Sequence, residues 1–217
     1  MRKTFDAELH ELGAEMIDMA AAAEDAIDLV TASLTSPDRR QARQALDLTR
    51  SMDQMERDIE NRCLRLLLQQ QPVARDLRTI SAALKMVTDL ERIGDQCANI
   101  AEISMLLAQN PTHSGDMSNI RTMSQKAGYM VKRAIFAYVN RDADAANEVV
   151  GLDDEVDELF LKEKSELVDL ILNNREAADQ AIDQIIIAKY LERISDHAVN
   201  IAQWAIYCVT GTLPTPA

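Results

Sequence analysis

Two nearly identical stretches of this 217-residue chain lie 101 residues apart. Residues 90–95 read Leu-Glu-Arg-Ile-Gly-Asp, and residues 191–196 read Leu-Glu-Arg-Ile-Ser-Asp. The tripeptide Asn-Ile-Ala follows each copy after the same interval, at residues 99–101 and 200–202. Self-similarity at a fixed spacing indicates that one structural unit occurs twice. The chain is therefore predicted to be a tandem repeat.

Residues that break or cap helices divide the chain into six long segments. These breaks are Ser36-Pro37-Asp38, Gln71-Pro72, Asn110-Pro111-Thr112, Asn140-Arg141-Asp142 and Asn173-Asn174. Proline cannot donate a hydrogen bond inside a helix, whereas Ser, Thr, Asn and Asp favour helix caps. Between the breaks, apolar residues recur at helical spacing, which predicts helices over residues 4–34, 38–69, 74–109, 117–139, 142–172 and 176–210. No segment alternates apolar and polar residues as a half-buried strand would.

The short connections between these helices determine the predicted fold. Consecutive long helices joined by a few residues run antiparallel and pack side by side. We therefore predict an all-α protein of two tandem antiparallel three-helix bundles, related by an internal pseudo-two-fold repeat. The first bundle is assigned to residues 1–110 and the second to residues 111–217.

Composition excludes several classes of function. The net charge of −13 argues against nucleic-acid binding and against docking on anionic lipid, since both depend on Lys and Arg. The three cysteines, Cys63, Cys97 and Cys208, lie inside helical patterns and are predicted to be reduced packing residues. The N-terminus reaches acidic residues at once, and no apolar run is long enough to span a membrane. We expect a cytoplasmic protein without membrane insertion.

Pairs of acidic residues interrupt the apolar stripes of four of the six helices. Each pair is spaced i,i+4, so that two like charges lie on one helix face and repel each other. The four pairs are Glu56 and Glu60, Glu91 and Asp95, Asp153 and Asp157, and Glu192 and Asp196. Clustered carboxylates bind cations with a preference for oxygen ligands. These eight residues are candidate ligands for a divalent or trivalent metal such as Mg, Mn, Fe or Zn.

Ion pairing is the alternative interpretation of the same acids. The basic residues Arg57, Arg92, Lys162 and Arg193 could neutralise them between helices without any metal.

Distances along the chain also distinguish the predicted site of the first half from that of the second half. Counted from the connecting turn, the second-half pairs fall at one level, whereas the first-half pairs are offset by roughly 12 Å. The second site is therefore predicted to be the better formed.

No pattern for enzymatic chemistry occurs. The sequence lacks a Glu-x-x-His motif, a Walker-type phosphate loop and a His-Glu-x-x-His motif. We expect that the protein is not an enzyme and has no catalytic residues.

The chain resembles the PhoU family of bacterial phosphate-specific transport accessory proteins. The resemblance rests on residues 90–95, residues 190–197 with 200–202, and the stretch Gln-Pro-Val-Ala-Arg-Asp-Leu-Arg at residues 71–78. It implies a cytoplasmic negative regulator that links the ATP-binding subunit of a phosphate ABC transporter to a sensor histidine kinase when phosphate is plentiful. It also implies metal binding by the eight acids above, although Glu60 stands where the family often has Asp. We expect a homodimer. A metal-binding or metal-storage protein is the alternative function.

Overall fold

Six long α-helices make up nearly all of the described chain. The structure is a computed structural model, and it describes residues 2–35, 39–70, 74–108 and 116–212. The helices are α1 (Arg2–Thr35), α2 (Arg39–Gln70), α3 (Ala74–Leu107), α4 (Ser118–Asn140), α5 (Ala143–Asn173) and α6 (Ala178–Thr210), with a short 3-10 turn at Arg175–Ala177 before α6. No strand occurs within the four described ranges. The all-α prediction is confirmed.

Local side-chain chemistry sets the helix ends in the second half. Asp142 caps α5 by accepting a hydrogen bond from the backbone N–H of Ala145 at 2.9 Å. Asn174 accepts from the N–H of Glu176, and Gly211 ends α6 with a φ of 81° that glycine adopts without strain. The predicted breaks near residues 140–142 and 173–174 are therefore correct. Those at residues 36–38, 71–72 and 110–112 lie outside the described residues.

The helices form two bundles that share one core. α1, α2 and α3 contact one another, α4, α5 and α6 do likewise, and the bundles meet through α1 against α4 and α3 against α6. The prediction of two three-helix bundles is confirmed. A single cluster of buried aliphatic, Ala and Met side chains runs through both. Leu90 and Leu191, one from each copy of the repeated motif, are both buried in it.

Polar contacts add to the apolar packing between the bundles. Tyr138 on α4 donates its hydroxyl to the carbonyl of Thr79 on α3 at 3.1 Å. His197 Nδ1 on α6 lies 2.9 Å from Oδ1 of Asp89 on α3. These bonds fix the register of α3 against the second bundle. None of the helices in the described ranges is long and apolar enough to cross a membrane.

Candidate metal centre

Four carboxylates meet on the surface of the α5–α6 hairpin. Asp153 and Asp157 come from α5, and Glu192 and Asp196 come from α6. Burial, with the charges of Asp196, Asp157 and Glu192, raises the pKa of Asp153 to about 6, even though the Ser195 hydroxyl lowers it. The packing of α5 against α6 and the influence of three other acids on one carboxyl are consistent with two i,i+4 pairs at one level. We call these four residues the second acidic cluster.

The other members of the second acidic cluster respond in the same way. Partial desolvation raises the pKa of Asp157, and the neighbouring charge of Glu192 adds to the rise. Partial desolvation and Glu192 likewise raise the pKa of Asp196. The repulsion among these groups destabilises the fully ionised cluster, and a bound cation would remove it.

One lysine partly neutralises the second acidic cluster. Lys189 Nζ donates to Glu192 Oε1 at 2.5 Å and lies 5.3 Å from the centre of the Phe160 ring. Arg193, which the ion-pair interpretation invoked, instead places its guanidinium 6.0 Å from the Tyr190 ring. Lys162 donates to Asn119 on α4 at 3.2 Å. An ion pair therefore forms in the second acidic cluster, but its cation is Lys189, which the sequence did not suggest as a partner.

Two oxygens in the second acidic cluster are buried and accept no hydrogen bond from the residues that the structure describes, Asp153 Oδ1 and Glu192 Oε2. Glu192 Oε2 lies 2.5 Å from Lys189 Nζ, which leaves Asp153 Oδ1 as the one available to a ligand. A buried oxygen without a partner is costly, and a cation would satisfy it. The donor set, four carboxylates with a serine hydroxyl beside them, suits a cation that prefers oxygen ligands. As placed, no three Asp, Glu, His or Cys side chains in the described ranges form a ready-made ligand set. A metal could be held here only after changes of side-chain rotamer.

The first half gathers a similar but different set of acids. Burial raises the pKa of Glu56, and the charges of Glu91, Glu60 and Asp53 add to the rise. Burial also raises the pKa of Glu91, with further increases from Asp95 and Asp53 and a lowering by Arg92. We call Asp53, Glu56, Glu91 and Asp95 the first acidic cluster. Glu60 lies one turn further along α2 and influences Glu56 from there.

Arg92 balances part of the charge in the first acidic cluster. Its Nε lies 3.6 Å from a carboxylate oxygen of Glu91, and its Nη1 lies 3.6 Å from one of Asp95. Arg57, the other cation that the ion-pair interpretation named here, donates to Gln54 at 3.2 Å. Among the described residues, the ion pairs made by members of the first acidic cluster are those with Arg92 on α3.

The repeat spacing explains why the two clusters differ. A shift of 101 residues places Asp153 on Met52, Asp157 on Glu56, and Ser195 on Gly94. The structure agrees with this register, because a Cβ built on Gly94 would meet Met52 Sδ at 3.3 Å, and Ser195 is near enough to Asp153 to lower its pKa. A methionine therefore fills the place that holds a carboxylate in the second half. Asp53 was not among the predicted residues, and the 101-residue shift would not have found it, because it corresponds to Asp154, which lies outside the second acidic cluster.

The two clusters are connected across the α3–α6 interface. His197 reaches Asp89 as described above, and Asn200 Nδ2 donates to the same Asp89 oxygen at 3.2 Å. The pKa values of Glu91 and Asp196 are raised, mainly by burial, and a positive charge on His197 would offset part of each rise. A single imidazole therefore lies near a member of each cluster.

Comparison with known proteins gives a consistent relationship over nearly the whole chain. A family model described as the PhoU domain matches residues 16–104 and again residues 120–205. A protein of Clostridium acetobutylicum named "Phosphate-specific transport system accessory protein PhoU homolog" is 36% identical over 211 residues, covering 97% of this chain and 96% of that protein. A protein of the same name from Aquifex aeolicus is 36% identical over 206 residues, covering 95% of this chain and 93% of that one.

Solved structures show the same relationship. The crystal structure of PhoU from Pseudomonas aeruginosa superposes with a TM-score of 0.91 at 33% identity, covering 96% of this chain and all of that one. The phosphate transport system regulatory protein PhoU from Streptococcus pneumoniae gives a TM-score of 0.89 at 25% identity, covering 98% of this chain and all of that one. With two matched copies of the domain and relatives of matching length, the chain belongs to the PhoU family.

Proposed function

We propose that this protein is a cytoplasmic regulator of phosphate uptake and of the phosphate-starvation response. In this role it acts as an adaptor between the ATP-binding subunit of a high-affinity phosphate ABC transporter and a sensor histidine kinase. It lowers kinase output when phosphate is plentiful. The observation that carries the proposal is membership of the PhoU family over almost the full chain, with relatives named as phosphate-specific transport accessory proteins.

The physical basis of such regulation is differential binding. A protein that acts without chemistry shifts a partner's equilibrium only by binding one conformation better than another. A difference of ~1–3 kcal/mol changes the populations several-fold to about a hundred-fold. The acidic chain, with a net charge of −13, is suited to basic partner surfaces. Affinity for each partner should therefore fall as the salt concentration rises.

Deletion and complementation test the regulatory role. The gene is deleted, and a reporter of the phosphate-starvation response is measured in high and in low phosphate. We expect the reporter to be active in high phosphate in the deletion strain and to be repressed again by the parent gene on a plasmid. An empty plasmid is the control. Reporter output that follows external phosphate equally well in the deletion strain would refute the regulatory role.

Metal binding is a second candidate function, and the buried unpartnered oxygen of Asp153 specifically favours it. Metal content is measured after purification without an affinity tag, for the parent and for Glu192→Ala with Asp196→Ala. The matched control is Asp179→Ala with Asp183→Ala, an i,i+4 pair on the same helix outside the cluster. We expect the first double variant to lose bound Mg, Mn, Fe or Zn and the control to retain it. Equal metal content in all three proteins would refute the site.

Self-association completes the proposal. We propose that the working form is a homodimer, and light scattering of the purified chain measures its mass directly. A monomeric mass at micromolar concentration would refute the dimer and leave the regulatory role intact.

A further inference from the structure

The α5–α6 hairpin is strongly acidic, whereas its counterpart in the first repeat is not. Residues 143–210, which contain α5 and α6, carry fifteen acidic and five basic side chains. Residues 39–107, which contain the equivalent helices α2 and α3, carry ten acidic and eleven basic side chains. The equivalent hairpins of the two repeats therefore differ strongly in net charge. A basic partner would be attracted to the α5–α6 hairpin and not to its counterpart.

The same hairpin exposes large apolar side chains near its turn. Five of them, between 38% and 76% exposed, are Leu161, Val168 and Leu172 on α5 and Ile182 and Ile186 on α6. We call these five residues the tip patch. Spacings of seven and four residues place the three α5 members on one stripe, and a spacing of four does the same for the α6 pair.

The two stripes lie at one end of the hairpin. Val168 precedes the connecting Asn174 by about as many residues as Ile182 follows it, and Leu161 and Ile186 are similarly matched. Because α5 and α6 pack against each other in antiparallel directions, matched positions fall at the same level. Leu161 follows Asp157 by one turn, so the tip patch continues toward the second acidic cluster.

Most of the tip patch is specific to the second repeat. Shifting Leu161, Ile182 and Ile186 by 101 residues gives the polar residues Glu60, Ser81 and Lys85, whereas Val168 corresponds to the apolar Leu67. The first hairpin does expose leucines, but Leu64 and Leu68 occupy other positions and correspond to Ser165 and Asp169. Exposed aliphatic side chains on adjacent helices are unfavourable in water, and contiguous apolar patches mark interaction sites.

Acidic side chains border the tip patch. Asp157 lies one turn from Leu161, while Asp179 and Asp183 each lie three residues before an exposed isoleucine of α6. Four basic residues lie in the same part of the hairpin, Lys162, Lys164, Arg175 and Lys189, against eight acidic residues between Asp157 and Asp183. Lys189 is paired with Glu192 at 2.5 Å. The surroundings are thus predominantly negative.

We propose that the tip patch and its bordering acids bind a helix of a partner protein whose apolar stripe is flanked by lysine or arginine. Two adjacent helices form a groove that accepts an amphipathic helix, and the acids pair with the basic flanks. A second copy of this chain is a poorer occupant, because two strongly acidic hairpins would face each other. The inference rests on the proposed function, since the helix would belong to a protein that this regulator controls.

A reciprocal exchange between the repeats tests the surface in vitro. The tip variant combines Leu161→Glu, Ile182→Ser and Ile186→Lys, which introduces the first-repeat residues and leaves the net charge unchanged. The matched control combines Leu64→Ser and Leu68→Asp, which introduces the second-repeat residues at exposed leucines of the first hairpin. The probe is a fluorescein-labelled designed helix with leucines at i, i+3, i+4 and i+7 and lysines elsewhere; an otherwise identical helix has glutamates in place of the lysines.

We expect the parent and the control to bind the lysine helix with equal affinity. The tip variant should bind it roughly tenfold or more weakly, because three apolar contacts are lost. The glutamate helix should not bind the parent. Equal binding by the tip variant and the parent, or an equal loss in the control, would overturn the proposal. Circular dichroism confirms folding, and Leu172→Gln at the most exposed position provides a second, milder variant.

The reporter strain separates this inference from the proposed function. The parent and the control should restore repression in high phosphate, and the tip variant should not. Full repression by the tip variant overturns the docking surface and leaves the regulatory role standing, whereas failure of the parent gene refutes the regulatory role itself. If light scattering shows that the tip variant turns a dimeric parent into a monomer, the patch is a contact between copies and the proposal is wrong.

Discussion

Replacing Asp153 by Asn should make the metal-free protein more stable near neutral pH. Burial and the charges of Asp196 and Asp157 raise the pKa of Asp153 from 3.8 to about 6. The unfolded chain therefore releases this proton at a lower pH than the folded protein does. The folded protein is most favoured below the unfolded pKa, and that advantage is lost as the pH rises from about 4 through about 6.

The size of the effect follows from the shift. About two pKa units at ~1.4 kcal/mol each correspond to ~3 kcal/mol, and partial solvation of the carboxyl reduces this to ~1–2 kcal/mol. An asparagine cannot ionise, so it avoids this loss. We expect the unfolding free energy of Asp153→Asn to exceed that of the parent by ~1–2 kcal/mol at pH 7 and to differ little at pH 4.

Urea unfolding at pH 4, 5, 6 and 7, with a chelator present, measures this difference. Asp154→Asn is the control, since it removes one charge from the adjacent exposed position on α5. A difference between Asp153→Asn and the parent that is constant across pH would refute the argument. A gain of the same size in Asp154→Asn would attribute the effect to net charge instead.

Three further changes test other parts of the structure. Met52→Asp supplies the carboxylate that the first acidic cluster lacks, and it should increase metal binding in equilibrium dialysis. The same variant should lower the free energy of unfolding in urea by ~1–3 kcal/mol, because a polar group replaces a buried side chain. Gly94→Leu should destabilise the protein by ~1–3 kcal/mol in the same assay, since even a Cβ there meets Met52 at 3.3 Å, whereas Gly94→Ala should change it by less than ~1 kcal/mol. Arg62→Ala should cost ~1–3 kcal/mol of thermal stability because the largely buried guanidinium binds Glu15 and Glu8 at 2.6 and 2.8 Å; an unchanged melting temperature would contradict it.

The sequence predicted the helices, and it predicted that the acids of α5 and α6 lie at one level; metal binding by them stays a prediction. Helical periodicity fixes which residues share a face, and the caps at Asp142 and Asn174 fix where α5 begins and ends. With both helix ends known, counting from the turn brings Asp153 and Asp157 level with Glu192 and Asp196. The pKa changes of Asp153, Asp157 and Asp196 agree with that arrangement.

The first acidic cluster was predicted less well. Spacing of i,i+4 shows that two residues share one face of a helix, but it does not show which residues of the neighbouring helix lie beside them. Glu60 was paired with Glu56 on spacing alone, although the repeat register gives Met52 and Glu56 as the equivalents of Asp153 and Asp157. The direction in which a side chain points also could not be predicted from the sequence. Arg193 lies on the Tyr190 ring while Lys189 pairs with Glu192, and both arrangements are compatible with the same helix pattern.

The contacts between bundles have a consequence for how the chain assembles. Across the bundle boundary, equivalent helices meet each other: α1 meets α4, and α3 meets α6. That is the arrangement of a symmetric dimer whose two subunits have been joined by a linker. Either half produced alone would present a self-complementary apolar face. Each half should therefore associate in pairs, so that two separate copies rebuild the six-helix core that one chain forms by itself.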